Sequence, residues 1–147
     1  MRKIFEKINI LITIIVVFSF ISCDFDQKEN KYRSYESAKA SGFFEKGWIP
    51  KSIVYKSMTD IYQKTNIDLN TFIFSYNLSE SDLDQLMLEI KPNRKTYKSP
   101  SRINIPNWWK DKVENLDHYS LVDKESGNVI IVAIDKNEKK VFGWSFN

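Results

Sequence analysis

The sequence predicts a small α+β domain: an antiparallel sheet of about four strands with helices packed on one face, following an N-terminal leader. Three observations predict it. From Thr71 to Leu78, Phe72, Phe74, Tyr76 and Leu78 alternate with Thr71, Ser75 and Asn77, the period of two of a strand with a buried face. Leu83, Leu86, Met87 and Ile90 then fall at i, i+3, i+4 and i+7, the stripe of an amphipathic helix. Finally, runs at about 117–123, 128–134 and 140–146 are separated by Glu125-Ser126-Gly127 and by Lys136-Asn137-Glu138, the pattern of a three-stranded meander.

The leader comes first in chain order. Arg2, Lys3 and Lys7 form a positive start, and an apolar run of 12 residues follows from Ile10 to Ile21, interrupted by Thr13 and Ser19. A membrane-spanning helix takes about 20 residues, whereas the core of a secretory signal takes roughly 7–15. Phe20-Ile21-Ser22-Cys23 resembles the bacterial lipobox, with Phe20 where Leu is commonest. That resemblance implies cleavage before Cys23, diacylglycerol on its thiol, and a chain anchored to a bacterial membrane facing the periplasm or the cell exterior. Cys23 is the sole cysteine of 147 residues, so no disulfide framework is available. The implied division is a leader over 1–22, a lipidated tether over 23–33 and one domain over 34–147.

Polar residues 24–33 carry no apolar period and read as the tether. Ser34 is placed to cap a short helix through Ala40, with Glu36 in its first turn and Gly42 ending it. Pro50 disfavours helix at Ile49. Lys51 to Asn66 follows neither period cleanly. Ile73 stands on the second face of the Thr71–Leu78 strand and implies partial cover there. Ser79 and Asp82 give the next helix a start like a capping box, and Pro92 bounds its end. Residues 91–107 read as a polar loop broken by Pro92, Pro100 and Pro106. Trp109, Val113 and Leu116 share one face of a short helix from Asn107 to Leu116. In the meander, Val129 to Ile134 is apolar on both faces and reads as the central strand, while Phe142, Trp144 and Phe146 line one face of the last.

Composition bounds function as well. Without Arg2, Lys3, Lys7 and Glu6, the 22 basic and 19 acidic residues become 19 and 18, a near-neutral mature chain. Such a balance argues against a nucleic-acid partner.

The stretch from Tyr35 to Phe74 resembles the small bacterial lipoproteins with a YbbD head domain. The residues concerned are Tyr35-Glu36-Ser37-Ala38, Gly47-Trp48-Ile49-Pro50, Lys56-Ser57-Met58-Thr59-Asp60-Ile61, and Asp68-Leu69-Asn70 before an aromatic strand. Tyr55 stands where Pro is common, Met58 where Ala is, and Leu69 where Thr is. The resemblance covers about 40 residues and implies an exported α+β lipoprotein, with no assigned chemistry.

No motif supplies a catalytic set, a metal site or a cofactor. His118 is the only histidine, and Asp117 and Ser120 near it on a strand do not converge on it as a triad would. One His and one Cys cannot make the usual zinc sets. Asp60, Asp68, Asp82 and Asp84 lie in no calcium-loop pattern and fit capping and solvation. The one charge anomaly is Lys91 to Lys112, with Lys91, Arg94, Lys95, Lys98, Arg102, Lys110 and Lys112 against Asp111, interleaved with Tyr97, Trp108 and Trp109. It reads as a solvated loop, as a contact to anionic lipid headgroups or envelope polymer, or as a docking site for an envelope protein. Its candidate contact residues are Lys95, Lys98, Arg102 and Trp108. The functional expectation is thus a membrane-anchored protein with a non-enzymatic binding or structural role. The alternative is a cell-envelope hydrolase whose acidic site assembles only in the fold.

Overall fold

The computed structural model describes residues 27–92, 100, 103–109 and 112–145. Cys23, Lys95, Lys98, Arg102 and Phe146 lie outside these residues, as does the leader. Among them run the strands β1 (Gln27–Ser34), β2 (Thr59–Asn66), β3 (Thr71–Asn77), β4 (Lys91–Pro92), β5 (Asp117–Val122), β6 (Val129–Asp135) and β7 (Lys140–Ser145), with helices α1 (Tyr35–Ala40) and α2 (Glu80–Glu89). The strands form a single antiparallel sheet in the order β1-β2-β3-β7-β6-β5-β4. The expectation of about four strands is corrected to seven, and the architecture is mostly sheet. Two successive meanders meet at a β3–β7 seam, where Phe74 pairs with Gly143.

One side of the sheet carries the larger core. Phe72, Phe74, Tyr76, Ile61, Ile130, Val132, Ile134 and Val141 meet Ala38 of α1, Leu83 and Leu86 of α2, and Phe43, Ile49 and Ile53 between α1 and β2. Both α-helices pack on this face, as the sequence predicts. The N-cap of α1 is Ser34, whose hydroxyl accepts from the Ser37 N–H while the Ser37 hydroxyl lies against the Ser34 backbone. Ser79 caps α2 by accepting from the Asp82 N–H at 3.3 Å. Asp82 does not close the box itself. Its carboxylate accepts from the Ser57 hydroxyl at 2.6 Å, and that oxygen accepts from the Ser79 N–H at 3.1 Å. Ser57 thereby satisfies an orphan donor at the helix start and ties α2 to the loop before β2.

Among the described residues, the second face is covered without a helix. Ile73, Ile131, Ala133, Phe142 and Trp144 pack with Ile103, Trp109 and Val113. Trp109 is 2% exposed and meets Phe142 and Trp144 edge-on at 5.7 and 5.5 Å. The helix expected from Asn107 to Leu116 is corrected to tight turns, closed by Trp109 N–H to Pro106 O, Lys112 N–H to Trp109 O and Leu116 N–H to Val113 O. Each is an i to i+3 bond, so the apolar spacing is met without an α-helical ladder. The result is a strap. Asn104 N–H donates to Gln27, Trp108 Nε1 donates to Glu29 at 3.0 Å, and Trp109 reaches the seam.

The reading of 24–33 as tether is also corrected, because Gln27–Ser34 forms the edge strand β1 with a seven-pair register on β2. Its outward side chains (Lys28, Glu29, Lys31, Arg33) stay exposed or half-exposed, so pairing relies on the backbone and on Tyr32, which packs on Phe43.

Candidate functional site

A cleft of about 280 Å³ opens at the end of the sheet where β1, β3 and β6 begin and β2, β5 and β7 finish. One wall starts from a short 3-10 turn, Phe44–Lys46, which Gly47 ends in the left-handed region at φ 72°. Trp48 then folds back on Phe72, ring centres 6.1 Å apart, while Ile49 is buried and anchors the segment. Pro50 opens a second 3-10 turn, Lys51–Ile53.

The opposite wall is the turn between β5 and β6. Asp123 organises it: its carboxylate accepts from the Ser126 hydroxyl at 2.5 Å and from the N–H groups of Ser126 and Glu125. Gly127 N–H donates to Asp123 O, and Asp123 N–H donates to Asn128 O. Lys51 on the first wall reaches Glu125 on the second at 2.9 Å. Both side chains are well exposed, and a pair of that kind contributes little. Phe72, Ile130 and Ser145 line the cleft from the sheet, with the Ser145 hydroxyl accepting from the Phe72 N–H, and Asn70, Asn128 and Lys46 stand around them. A second hollow of about 220 Å³, bordered by Ile49, Pro50 and Lys51, shares Gly47, Asp123 and Ser126 with the first.

The electrostatics do not suit Asp123 to a general-acid role. Burial pushes the Asp123 carboxyl up, but the Ser126 hydroxyl and the N–H groups of Glu125 and Ser126 outweigh it, so its pKa falls below the ordinary value. A general acid needs the reverse shift. Asp123 is therefore a turn-building carboxylate, and the cleft offers an indole face beside amide, hydroxyl and ammonium groups. Such a surface binds through one aromatic wall and several polar contacts.

Other candidates lie elsewhere. The His118 Nε2 lies 3.0 Å from the Val113 carbonyl, and the ring stands edge-on to Trp144 at 5.8 Å, both packing contacts of the second face. Trp108 is half-buried on the strap, 5.6 Å from Tyr62, and does not line the cleft. Asp60, a left-handed residue at φ 47°, accepts from Asn77. Among the described residues no three His, Cys, Asp or Glu side chains gather where a metal could sit. Among the same residues no helix is long and apolar enough to cross a membrane.

The segment that builds the first wall and the first half of the sheet has known counterparts. Residues 26–77 match the YbbD head domain. No curated protein and no solved structure matches the chain. The YbbD head match ends with β3, so β4 to β7 extend the sheet beyond it. Its quoted motif residues have structural work here. Gly47 turns left-handed, Ile49 is buried, Ser57 caps α2, Asp60 sits where the β2–β3 register shifts, and Asn70 ends the β2–β3 turn at φ 48°. Trp48 is the exception, with a half-exposed ring in the cleft. The cleft itself is not legible as a motif, because its residues come from four separated stretches of chain. The nearest sequence signal is Glu125-Ser126-Gly127, which reads only as a turn.

Proposed function

We propose that the protein is an exported bacterial lipoprotein, held to a membrane by lipid on Cys23, whose sheet domain serves a non-enzymatic binding role in the envelope. The observation that carries this reading is the order along the chain: positive start, 12-residue apolar run, Ser22-Cys23, and then a folded strand that begins at Gln27. A signal core followed so closely by a folded domain leaves Cys23 at the junction of the two. The YbbD head match over residues 26–77 supports placement in the envelope. Binding is favoured because the Asp123 carboxylate is engaged by the Ser126 hydroxyl and the N–H groups of its own turn, and His118 is engaged in packing. The contacts proposed for an envelope protein or an anionic envelope polymer are Lys95, Lys98 and Arg102, with Trp108 at the base of that segment.

Metabolic labelling with an alkyne fatty acid tests the anchor. Wild-type protein takes the label and Cys23→Ser does not; equal labelling of both refutes the assignment. Crosslinking in intact cells, followed by recovery of the lipidated protein, tests the binding role. A partner captured by wild type and lost on charge reversal of Lys95 and Lys98, with the melting temperature unchanged, is the expected result.

A further inference from the structure

We infer that the domain stands on the membrane on one particular end, the end at which β1 begins, with the β2–β3 and β5–β6 turns seated in the lipid headgroups. This inference rests on the lipid anchor at Cys23 proposed above. The first argument is chain length. Gln27 lies four residues after Cys23, and four residues span at most about 14 Å even when fully extended. Strand β1 has eight residues, so the opposite end of the sheet lies about 23 Å beyond Gln27. The link is too short to let the domain invert and place that opposite end on the bilayer.

The second argument is where apolar surface is left open. Five large apolar side chains among the described residues are exposed: Ile67, Leu69, Leu88, Val122 and Val129. Four of them fall at the end defined by Gln27. Ile67 and Leu69 are in the turn between β2 and β3, whose flanking residue Asn66 pairs with Gln27. Val122 closes β5 and Val129 opens β6, and the two pair with each other. Ile67 is 57% exposed and Val122 60%. The two turns sit on different strand pairs, so no single packing defect accounts for both. Trp48 lines the cleft at this same end with its ring half-exposed, beside Lys46, the combination of amphipathic ring and ammonium that suits a headgroup layer. Lys46, Lys51 and Lys124 are offset by Asp68, Asp123 and Glu125, so contact is carried by apolar side chains and needs no anionic lipid. Among the described residues the opposite end presents the polar turn Lys136-Asn137-Glu138, and the fifth exposed apolar residue, Leu88, lies on α2.

The test uses the full-length protein in bacterial membranes loaded with a phosphatidylcholine bearing a photoactivatable diazirine in its headgroup region. After illumination, peptides are mapped by mass spectrometry, and the same spectra report the mass of the Cys23 peptide. Adducts several-fold enriched in peptides covering 66–71 and 122–129, over those covering 35–41 and 135–140, are expected. Replacing Ile67 and Val122 by Asp should cut adduct yield at both turns several-fold and leave the thermal melt unchanged, since both positions are exposed. A lipidated Cys23 with adducts absent from this end, or concentrated at residues 135–140, overturns the orientation and leaves the anchor standing; that pattern also results if a protein partner covers these turns. An unmodified Cys23 on protein recovered free of membrane overturns the anchor, and the orientation falls with it.

Discussion

Gly143 shows how much a single hydrogen-for-methyl exchange decides in this sheet. It sits opposite Phe74 across the seam, and a Cβ built there would lie 2.1 Å from the Phe74 Cζ, in hard clash with the edge of the ring. The ring occupies the space a side chain would take, and both strands are buried on either side of the contact. Gly143 has no positive φ, so the requirement is one of space alone. Gly143→Ala must displace the ring or part the strands, and overpacking of this kind typically costs about 1–3 kcal/mol. Chemical denaturation of Gly143→Ala should show that loss. Pairing it with Phe74→Leu, which vacates the overlapped volume, should give a total loss smaller than the sum of the two single losses. Strict additivity would mean the two positions do not compete for one space.

At the scale of elements, the sequence discloses those whose apolar pattern and turn residues are local. The meander β5–β6–β7, the strand β3, and the caps at Ser34 and Ser79 all follow from period and turn chemistry. Strand β1 is hidden because an edge strand needs main-chain pairing more than side-chain burial, and Lys28, Glu29 and Lys31 look like solvent-exposed tether. Strand β2 is hidden for a different reason: Gln63 and Thr65 point into the larger core beside Ile61, so polar residues occupy apolar beats. Asn30 partly compensates, donating to the Gln63 side-chain carbonyl at 2.6 Å. The cleft is illegible because its walls converge only after the two meanders join. On the second face, the spacing of Trp109, Val113 and Leu116 correctly marks an inward side but not its backbone. The strap predicts a measurable asymmetry. Trp109→Ala should cost about 3–5 kcal/mol, as large aromatic truncations do. Trp109→Phe should cost clearly less, because the buried Trp109 N–H has no hydrogen-bond partner to lose. Urea melts of the two variants check this; equal losses would mean that the indole nitrogen carries a bond.

For the whole molecule, the tyrosines packed in the larger core predict a loss of stability at alkaline pH. Burial pushes the Tyr55 hydroxyl up to about 12, with Glu89 and Asp82 adding repulsion to its charged form. Tyr76 is raised too, first by burial and then by Tyr55, and its hydroxyl donates to the Ile53 carbonyl at 3.1 Å. In the unfolded chain both tyrosines lose their protons near pH 10. Above that pH the unfolded state binds fewer protons than the folded state, so stability falls as pH rises through the interval between the two values. Below about pH 9 these groups contribute no pH dependence, because both states are protonated. Each unit of separation is worth about 1.4 kcal/mol, a large fraction of the roughly 5–15 kcal/mol that holds a domain together. Denaturation midpoints measured from pH 8 to 11 should therefore stay level and then drop. Tyr55→Phe separates this cause from general charge repulsion. The Tyr55 hydroxyl is buried without a partner, so its removal should leave stability at pH 8 unchanged or higher. The same variant should drop less steeply above pH 10, with Tyr76 sustaining the remainder of the slope. An unchanged alkaline slope in Tyr55→Phe would show that the phenol reaches solvent in the folded protein and titrates there as it does in the unfolded chain.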